Sequence, residues 1–585
     1  MRAGGGLIHR LPIGDRLGAP AKTRPNAPTR VRGLKRTVLG ARCGVPSRLW
    51  RVWPRSVVDL DTGGPVRADH AKYSGAKTMN VSNRNRAFRA SRPQRQATTD
   101  KAKRSWGSTH HRPACGRVLC VIALVLVTAS AWAQPGSVDA SFNADDTPGK
   151  VIFGDALDHQ IVLDMAVDSQ GRIVVAYASL LGTVRGPFIF VDGLYIRRHL
   201  PSGALDLTFG VAGVVSAQLN WSFFGDDVAL ALGASDEIFV GFSSEETPPP
   251  IEVRGPTNIG FAVEKFSAAG IWERSNYVQF DLAPNASEQL SNMVRCGSSL
   301  ILVGGAHNGT HLDAAVAKLS TESLDLDSGF SGDGKVTFGI DLGSDKSDLP
   351  SSAACFGSSI YIAGGAAQSN DAVSGFLALL DGDGNLVPTF DDDGVKLFSA
   401  PNIDWDSPAR GVPLPSPETW FNDLLIDLNG LIWLAGDAKT PEGDYDAVLL
   451  VTDASGDEVT TIGTDGWNGF GTKTGATNED DRFTHVLETS ATQRTFVGIS
   501  SGSSPLVARL LAPDGRLDSS FAGGGLTQLS TLGFADVYDA VHDAIGRLLI
   551  GGEGVSSAQS DGQFARLRNN EIFLDGFESG NTNAW

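Results

Sequence analysis

Imperfect copies of one phrase recur along this chain at intervals of about sixty residues or a multiple of that, and a repeat of that size leaves few folds open. Aligned on a single phenylalanine, the copies read VDASF at Phe142, LDLTF at Phe209, LDSGF at Phe330, LVPTF at Phe390 and LDSSF at Phe521. A glycine follows each, at Gly149, Gly213, Gly334, Gly394 and Gly525, and then a short run such as KVTF or VVSA. The phrase reads as a turn entering a strand: Asp139, Asp206 or Asp518 can accept backbone amides ahead of it, and glycine tolerates positive φ. The phenylalanine is its inward anchor.

A second landmark lies upstream in each unit, a short apolar run ending in small residues. It appears at Ile173, Ile238, Leu300, Ile360, Leu431, Phe496 and Leu548, which makes seven units. Period-two alternation, sharp turns and the lack of a helical pattern argue for an antiparallel meander of four strands per unit. Repeated radially, that meander is a propeller blade. The sequence therefore predicts an all-β chain forming a seven-bladed β-propeller of four-stranded antiparallel blades. The chain opens with a lone turn-and-strand phrase, and the seventh unit lacks one. The expectation is that the N-terminal strand of the mature chain closes the last blade and leaves no edge unpaired.

The pattern DGRLDSSFAGGG, with GRLLIGG upstream and the strand GQFARL, resembles the delta-60 repeat of exported bacterial proteins, from Ser137 to Phe573. The second unit (AGIWERSNYVQF) and the fifth (SGDEVTTIGTDGW) depart from the pattern. The resemblance implies a β-rich exported protein and carries no catalytic residues with it.

Charge divides the chain. Of 49 Lys+Arg and 66 Asp+Glu, 26 basic but only 5 acidic residues lie before Gln134, which leaves 23 basic and 61 acidic beyond it. Residues 1–112 are Arg-rich, Pro-rich and aperiodic, a disordered basic segment. They are either an over-long gene start, with Met79 or a later residue as the true beginning, or a nucleic-acid-binding arm. Residues 113–133 read as a signal peptide. Arg112 and Arg117 supply positive charge, Val118 to Val127 the apolar run, and Ala131-Trp132-Ala133 the cleavage site. The apolar run is shorter than the ~20 residues of a spanning helix, so no integral span is expected after cleavage. Residues 134–573 form the repeat array and residues 574–585 a tail. That tail, DGFESG…AW, resembles an ending of exported Gram-negative proteins, and is either a sorting signal or a terminus packed on the last blade. The expected location is periplasmic, on the outer-membrane surface or extracellular. Cys296 and Cys355 hold matching places in neighbouring repeats, as a bridge between units or as two buried thiols.

The acidity of the mature part disfavours nucleic acid. An acid precedes each of six innermost strands: Asp227, Glu288, Asp348, Asp423, Asp481 and Asp536. Either these ring one mouth of the propeller as a ligand-binding funnel, or each holds its own turn. Trp405 and Trp420, at the edges of a Pro-rich insertion, are candidate platforms for a sugar. Asp381, Asp383 and Asn385 alternate oxygen ligands with glycine as calcium favours, without the closing Glu of a calcium loop. Otherwise no cofactor is expected. His307, His311 and Asp313 have a metal-like spacing but lie in a Gly-containing loop. Ser500 sits in a G-x-S-x-G spelling whose continuation reads as strand, against a nucleophile elbow. These readings lead to an exported, monomeric binding or surface-interaction module for a polysaccharide or a cell-surface protein. The alternatives are a polysaccharide lyase or hydrolase using funnel carboxylates, and a structural cell-surface protein.

Overall fold

A computed structural model describes residues 134–569 apart from short interruptions. The basic segment, the signal peptide and the tail lie outside the described residues, as do Asp227 and Trp405.

The described residues form seven antiparallel blades in a ring, a seven-bladed β-propeller. Blade 1 comprises Asp158–Val167, Ile173–Leu181, Val191–His199 and Val214–Ser216. Blade 2 runs from Val228–Leu232 through Ile238–Glu245 and Ile259–Phe266 to Trp272–Val278. Blade 3 starts at Glu288–Cys296 and ends at Lys335–Phe338, and blade 4 starts at Asp348–Phe356 and ends at Val395–Phe398. Blade 5 spans Thr419–Ile426 to Trp467–Phe470. In blade 6, whose first strand is Asp481–Ser490, the outer position is shared by Arg516–Leu517 and Leu526–Gln528, both paired with Ser504–Leu511. Blade 7 comprises Phe534–His542, Leu548–Val555, Ser560–Leu567 and the N-terminal strand Lys150–Phe153, which pairs antiparallel with Ser560–Leu567 in the register Lys150↔Ala565.

Each blade buries both faces, so its middle strands read as continuous apolar runs. The core is consequently divided among the blade interfaces. The buried side chains fall into seven clusters, and each joins one blade to the next; Phe209 of blade 1 sits with Val240 of blade 2, and Phe330 of blade 3 with Ile362 of blade 4.

The repeat phenylalanines anchor these interfaces. Phe142, Phe209, Phe330, Phe390 and Phe521 are all buried, and each ring lies under a positive-φ glycine in a turn of the following blade: Gly203, Gly270, Gly384, Gly456 and Gly136 respectively. A Cβ on Gly270 would fall 2.7 Å from the Phe209 ring. In the divergent fifth unit Ile462 takes the phenylalanine's place, buried against Gly515 of blade 6.

The glycines that end the second-strand runs have another cause. A β-bulge in the first strand of most blades turns a carbonyl over them, so a Cβ on Gly436 would lie 1.9 Å from the Trp420 carbonyl oxygen. Gly304, Gly364, Gly498 and Gly552 are covered in the same way. Only glycine fits under such an approach.

Cys296 and Cys355, at the inner-strand ends of blades 3 and 4, are joined in a disulfide with Cα atoms 6.0 Å apart. Of the two readings left open by the sequence, the structure has the bridge.

Candidate functional site

The first strand of each blade has one edge paired and the other facing the propeller axis, where its amides need acceptors. The bulges provide them. Immediately after one bulge in each of six first strands stands Asp164, Asn292, Ser352, Asp423, His485 or Asp539, with Leu230 at the same register in the unbulged blade 2.

The acids of this axial ring reach across to the next blade. Asp539 Oδ2 of blade 7 accepts the Met165 amide of blade 1 at 2.7 Å, and Asp164 Oδ2 accepts the Leu230 amide of blade 2. Asp423 Oδ2 of blade 5 accepts the Val486 amide of blade 6 at 2.9 Å, while its Oδ1 takes the Ser352 hydroxyl of blade 4 at 2.7 Å. His485 Nε2 lies 3.2 Å from Asp539 Oδ1. Burial and the Asp539 carboxylate push Asp164 well above the ordinary carboxylate range. Burial raises Asp423 as well, against the pull of His485 and its amide partners. Burial opposes charge on His485, but Asp539, with Asp423 behind it, outweighs burial and raises the imidazole pKa.

Three of the acids singled out from the sequence occupy a different level. Glu288, Asp348 and Asp481 open their strands opposite Ala306, Ala366 and Ser500. Each binds backbone amides just after the last strand of the preceding blade. Glu288 Oε1 takes Phe280 at 2.6 Å, Asp348 Oδ2 takes Ile340 at 2.6 Å, and Asp481 Oδ2 takes Thr472 at 2.6 Å. Asp423 stands in the axial ring, and Asp536 lies 3.7 Å from Arg482 of blade 6. The six-fold row thus resolves into separate levels among the described residues. Asp164, His485 and Asp539 escaped the sequence reading. Their signal is a polar residue interrupting an apolar strand at the repeat interval, as in LDM, THV and YDA.

Trp420 packs its indole on Gly365 of blade 4. Asp381 Oδ1 accepts the amides of Asp383 at 3.0 Å and Asn385 at 2.9 Å, closing a tight turn. His311 Nε2 approaches Asp313 and Asp341, and His307 Nδ1 accepts the Gly309 amide. Among the described residues no three His, Cys, Asp or Glu side chains converge in a geometry that would hold a metal. Ser500 is buried at a strand end, against the Thr472 hydroxyl. The strand Ser504–Leu511 follows it, where an elbow would need a helix. No helix among the described residues is long and apolar enough to cross a membrane.

Fold and axial ring define the class, a seven-bladed β-propeller strapped at its axis by acids. No protein-family model matches the chain, and no curated protein does. Among solved structures it is similar to the Trypanosoma rangeli sialidase in complex with sialic acid, at 8% identity and TM-score 0.34, covering 72% of this chain and 57% of that one. A catalytically inactive virginiamycin B lyase from Staphylococcus aureus with quinupristin matches at 9% identity and TM-score 0.34, over 71% of this chain and 98% of that one. Chaetomium thermophilum Sqt1 matches at 11% identity and TM-score 0.34, over 74% and 99%. The chain spans little more than half of the sialidase's length.

Proposed function

We propose that this chain is an exported binding or surface-interaction module. The observation that carries the reading is the state of the axial carboxylates. All six oxygens of Asp164, Asp423 and Asp539 have partners: Met165 and Leu230 amides on Asp164, Ser352, Leu424 and Val486 on Asp423, His485 and Met165 on Asp539. A general acid or base must reach a substrate proton, and these groups instead hold neighbouring blades together. Recognition then falls to the surface. Val211 and Leu207 of blade 1 are 84% and 68% exposed, and Ile271 and Trp272 of blade 2 are 66% and 44% exposed. The Gly210 amide donates to the Ala269 carbonyl at 2.9 Å and draws the two turns together, and clustered exposed apolar groups of this kind mark interaction sites. The Cys296–Cys355 bridge supports an oxidising compartment.

One observation favours a second reading, a hydrolase or lyase: Asp164 with a raised pKa, and His485, also raised, 3.2 Å from Asp539, are the parts of acid–base catalysis. The full chain incubated with a panel of bacterial and plant polysaccharides, scored for retention and for new sugar ends, separates the two. Retention without new ends, lost in Val211→Asp or Ile271→Asp, is the expected result. New ends abolished by His485→Gln would overturn the binding reading.

A further inference from the structure

Glu288, Asp348 and Asp481 sit at one repeated position, where a first strand begins and the loop leaving the preceding blade passes over it. They are 3%, 0% and 1% exposed. Glu288 binds the amides of Phe280 and Asp281 through Oε1 alone, and Asp348 binds those of Ile340 and Asp341 through Oδ2 alone. The second oxygens, Glu288 Oε2 and Asp348 Oδ1, are buried without a hydrogen-bond partner. A neutral carboxyl, with one oxygen accepting and the other left as an unpaired hydroxyl, costs less there than a carboxylate, which would bury a charge held by two amides alone. Asp481 binds the amide and hydroxyl of Thr472 and neighbours Ser500. Blade 5 holds the same position with a group that does not titrate: Thr419, opposite Ala438, accepts the Ala400 amide at 2.9 Å.

We propose that these three carboxyls are proton-operated latches, closed over the loops leaving blades 2, 3 and 5 in mildly acidic medium and loosened as the pH rises to neutrality.

The charges around each latch agree with that assignment. Burial drives Glu288 up to about 7, with Asp281 adding to the rise and Lys335 opposing it. Burial likewise carries Asp348 to about 7, helped by Asp341 and Asp313, which in turn meet His311 and Lys346. Burial raises Asp481 to about 6, with Glu479 adding to it and Ser500 and Thr472 opposing. The sign follows from linkage. A loop that opens exposes its carboxyl to water and returns it to the ordinary range near 3.8 for Asp or 4.5 for Glu. Between that range and the raised value only the closed form keeps the proton, so opening becomes easier with each step up in pH and levels off above about 7. The loops freed lie on the face that carries the connections between second and third strands, where propeller specificity resides.

Hydrogen exchange of the full chain at several pH values from 5 to 8, corrected for intrinsic rates, tests the proposal. The Ala400 loop serves as internal reference. Protection of the Phe280, Asp281, Ile340, Asp341 and Thr472 amides relative to Ala400 should fall with pH, by up to about tenfold per unit within the window. A ratio constant across the range would overturn the proposal. Glu288→Gln and Asp348→Asn keep an acceptor and remove the titration, so each should flatten the response of its own loop and leave the other unchanged. A response that persists in both variants would also overturn it. Should either variant fail to fold, the Ala400 comparison in the unmodified chain decides alone.

Discussion

Arg566 Nη2 lies 2.8 Å from Asp139 Oδ2, although 427 residues separate them. The same guanidinium stands 4.3 Å over the Phe142 ring, so a third-strand cation both pairs the acid of the repeat phrase and covers its phenylalanine. Arg198 does this for Asp206 and Phe209, and Arg509 for Asp518 and Phe521. Lys318 reproduces it more loosely with Asp327 and Phe330. In these four units the repeat phrase is held by a cation, an acid and an aromatic ring.

These pairs differ in what remains when the cation is removed. Asp139 retains Arg547 at 3.4 Å and Arg568 at 3.5 Å, whereas among the described residues Asp206 forms its ion pair with Arg198. Arg198→Met should lower stability by about 3–5 kcal/mol, the usual result of stranding a buried charge, and Arg566→Met by roughly half as much. Urea unfolding of the two variants measures the difference; equal losses would show that the neighbouring guanidiniums do not compensate.

The inter-blade disulfide closes a loop of 59 residues. Cys296→Ser with Cys355→Ser, or reduction in place, should cost on the order of 4 kcal/mol through the freed unfolded chain. The melting temperature of the native chain should therefore drop in reductant, while that of the double variant stays where it is.

Gly436→Ala drives a methyl group against the Trp420 carbonyl, whereas a Cβ on Gly443 meets nothing within 4 Å. The first should destabilise by roughly 1–3 kcal/mol or more, as overpacking does. Gly443 has φ +96 and carries only a local backbone strain on substitution. Thermal melts of the two alanine variants give the comparison, and a Gly436→Ala variant no weaker than Gly443→Ala would contradict the packing described.

His485 has its pKa raised above 6.5 through Asp539 and Asp423, against burial. The stabilisation it contributes is complete below the unfolded value and disappears as the pH climbs through the raised one. The stability gap between the native chain and His485→Gln should be widest near pH 5.5 and narrow by pH 9. A gap that widens with pH would mean the imidazole is neutral in the folded protein.

The blades were legible in the sequence because their markers answer to rigid demands. Phe209 must fill a blade interface and Gly270 must clear it, so both recur at the repeat interval. Ile462 shows the limit: it meets the same demand with a different side chain, and the fifth unit looked irregular for that reason. The axial ring was harder to see. Asp164 and His485 each follow a bulge, and a bulge shifts the strand register by one residue without leaving a mark in composition. Asp423, opposite Ala435, stands well inside its strand, whereas Asp348, opposite Ala366, opens its own. Their common acidity made one row of what are separate levels.

The pairing of Lys150–Phe153 with Ser560–Leu567 also sets a timetable. The outer strand of blade 7 leaves the ribosome about four hundred residues ahead of its partner, so the native interface of blades 7 and 1 forms only when nearly the whole array has been made. Such long-range pairing slows folding and prolongs the exposure of unpaired edges. Until then Phe142 and Val151 have no Phe564 to pack against, and a chain in transit carries an apolar end that must be kept from other chains.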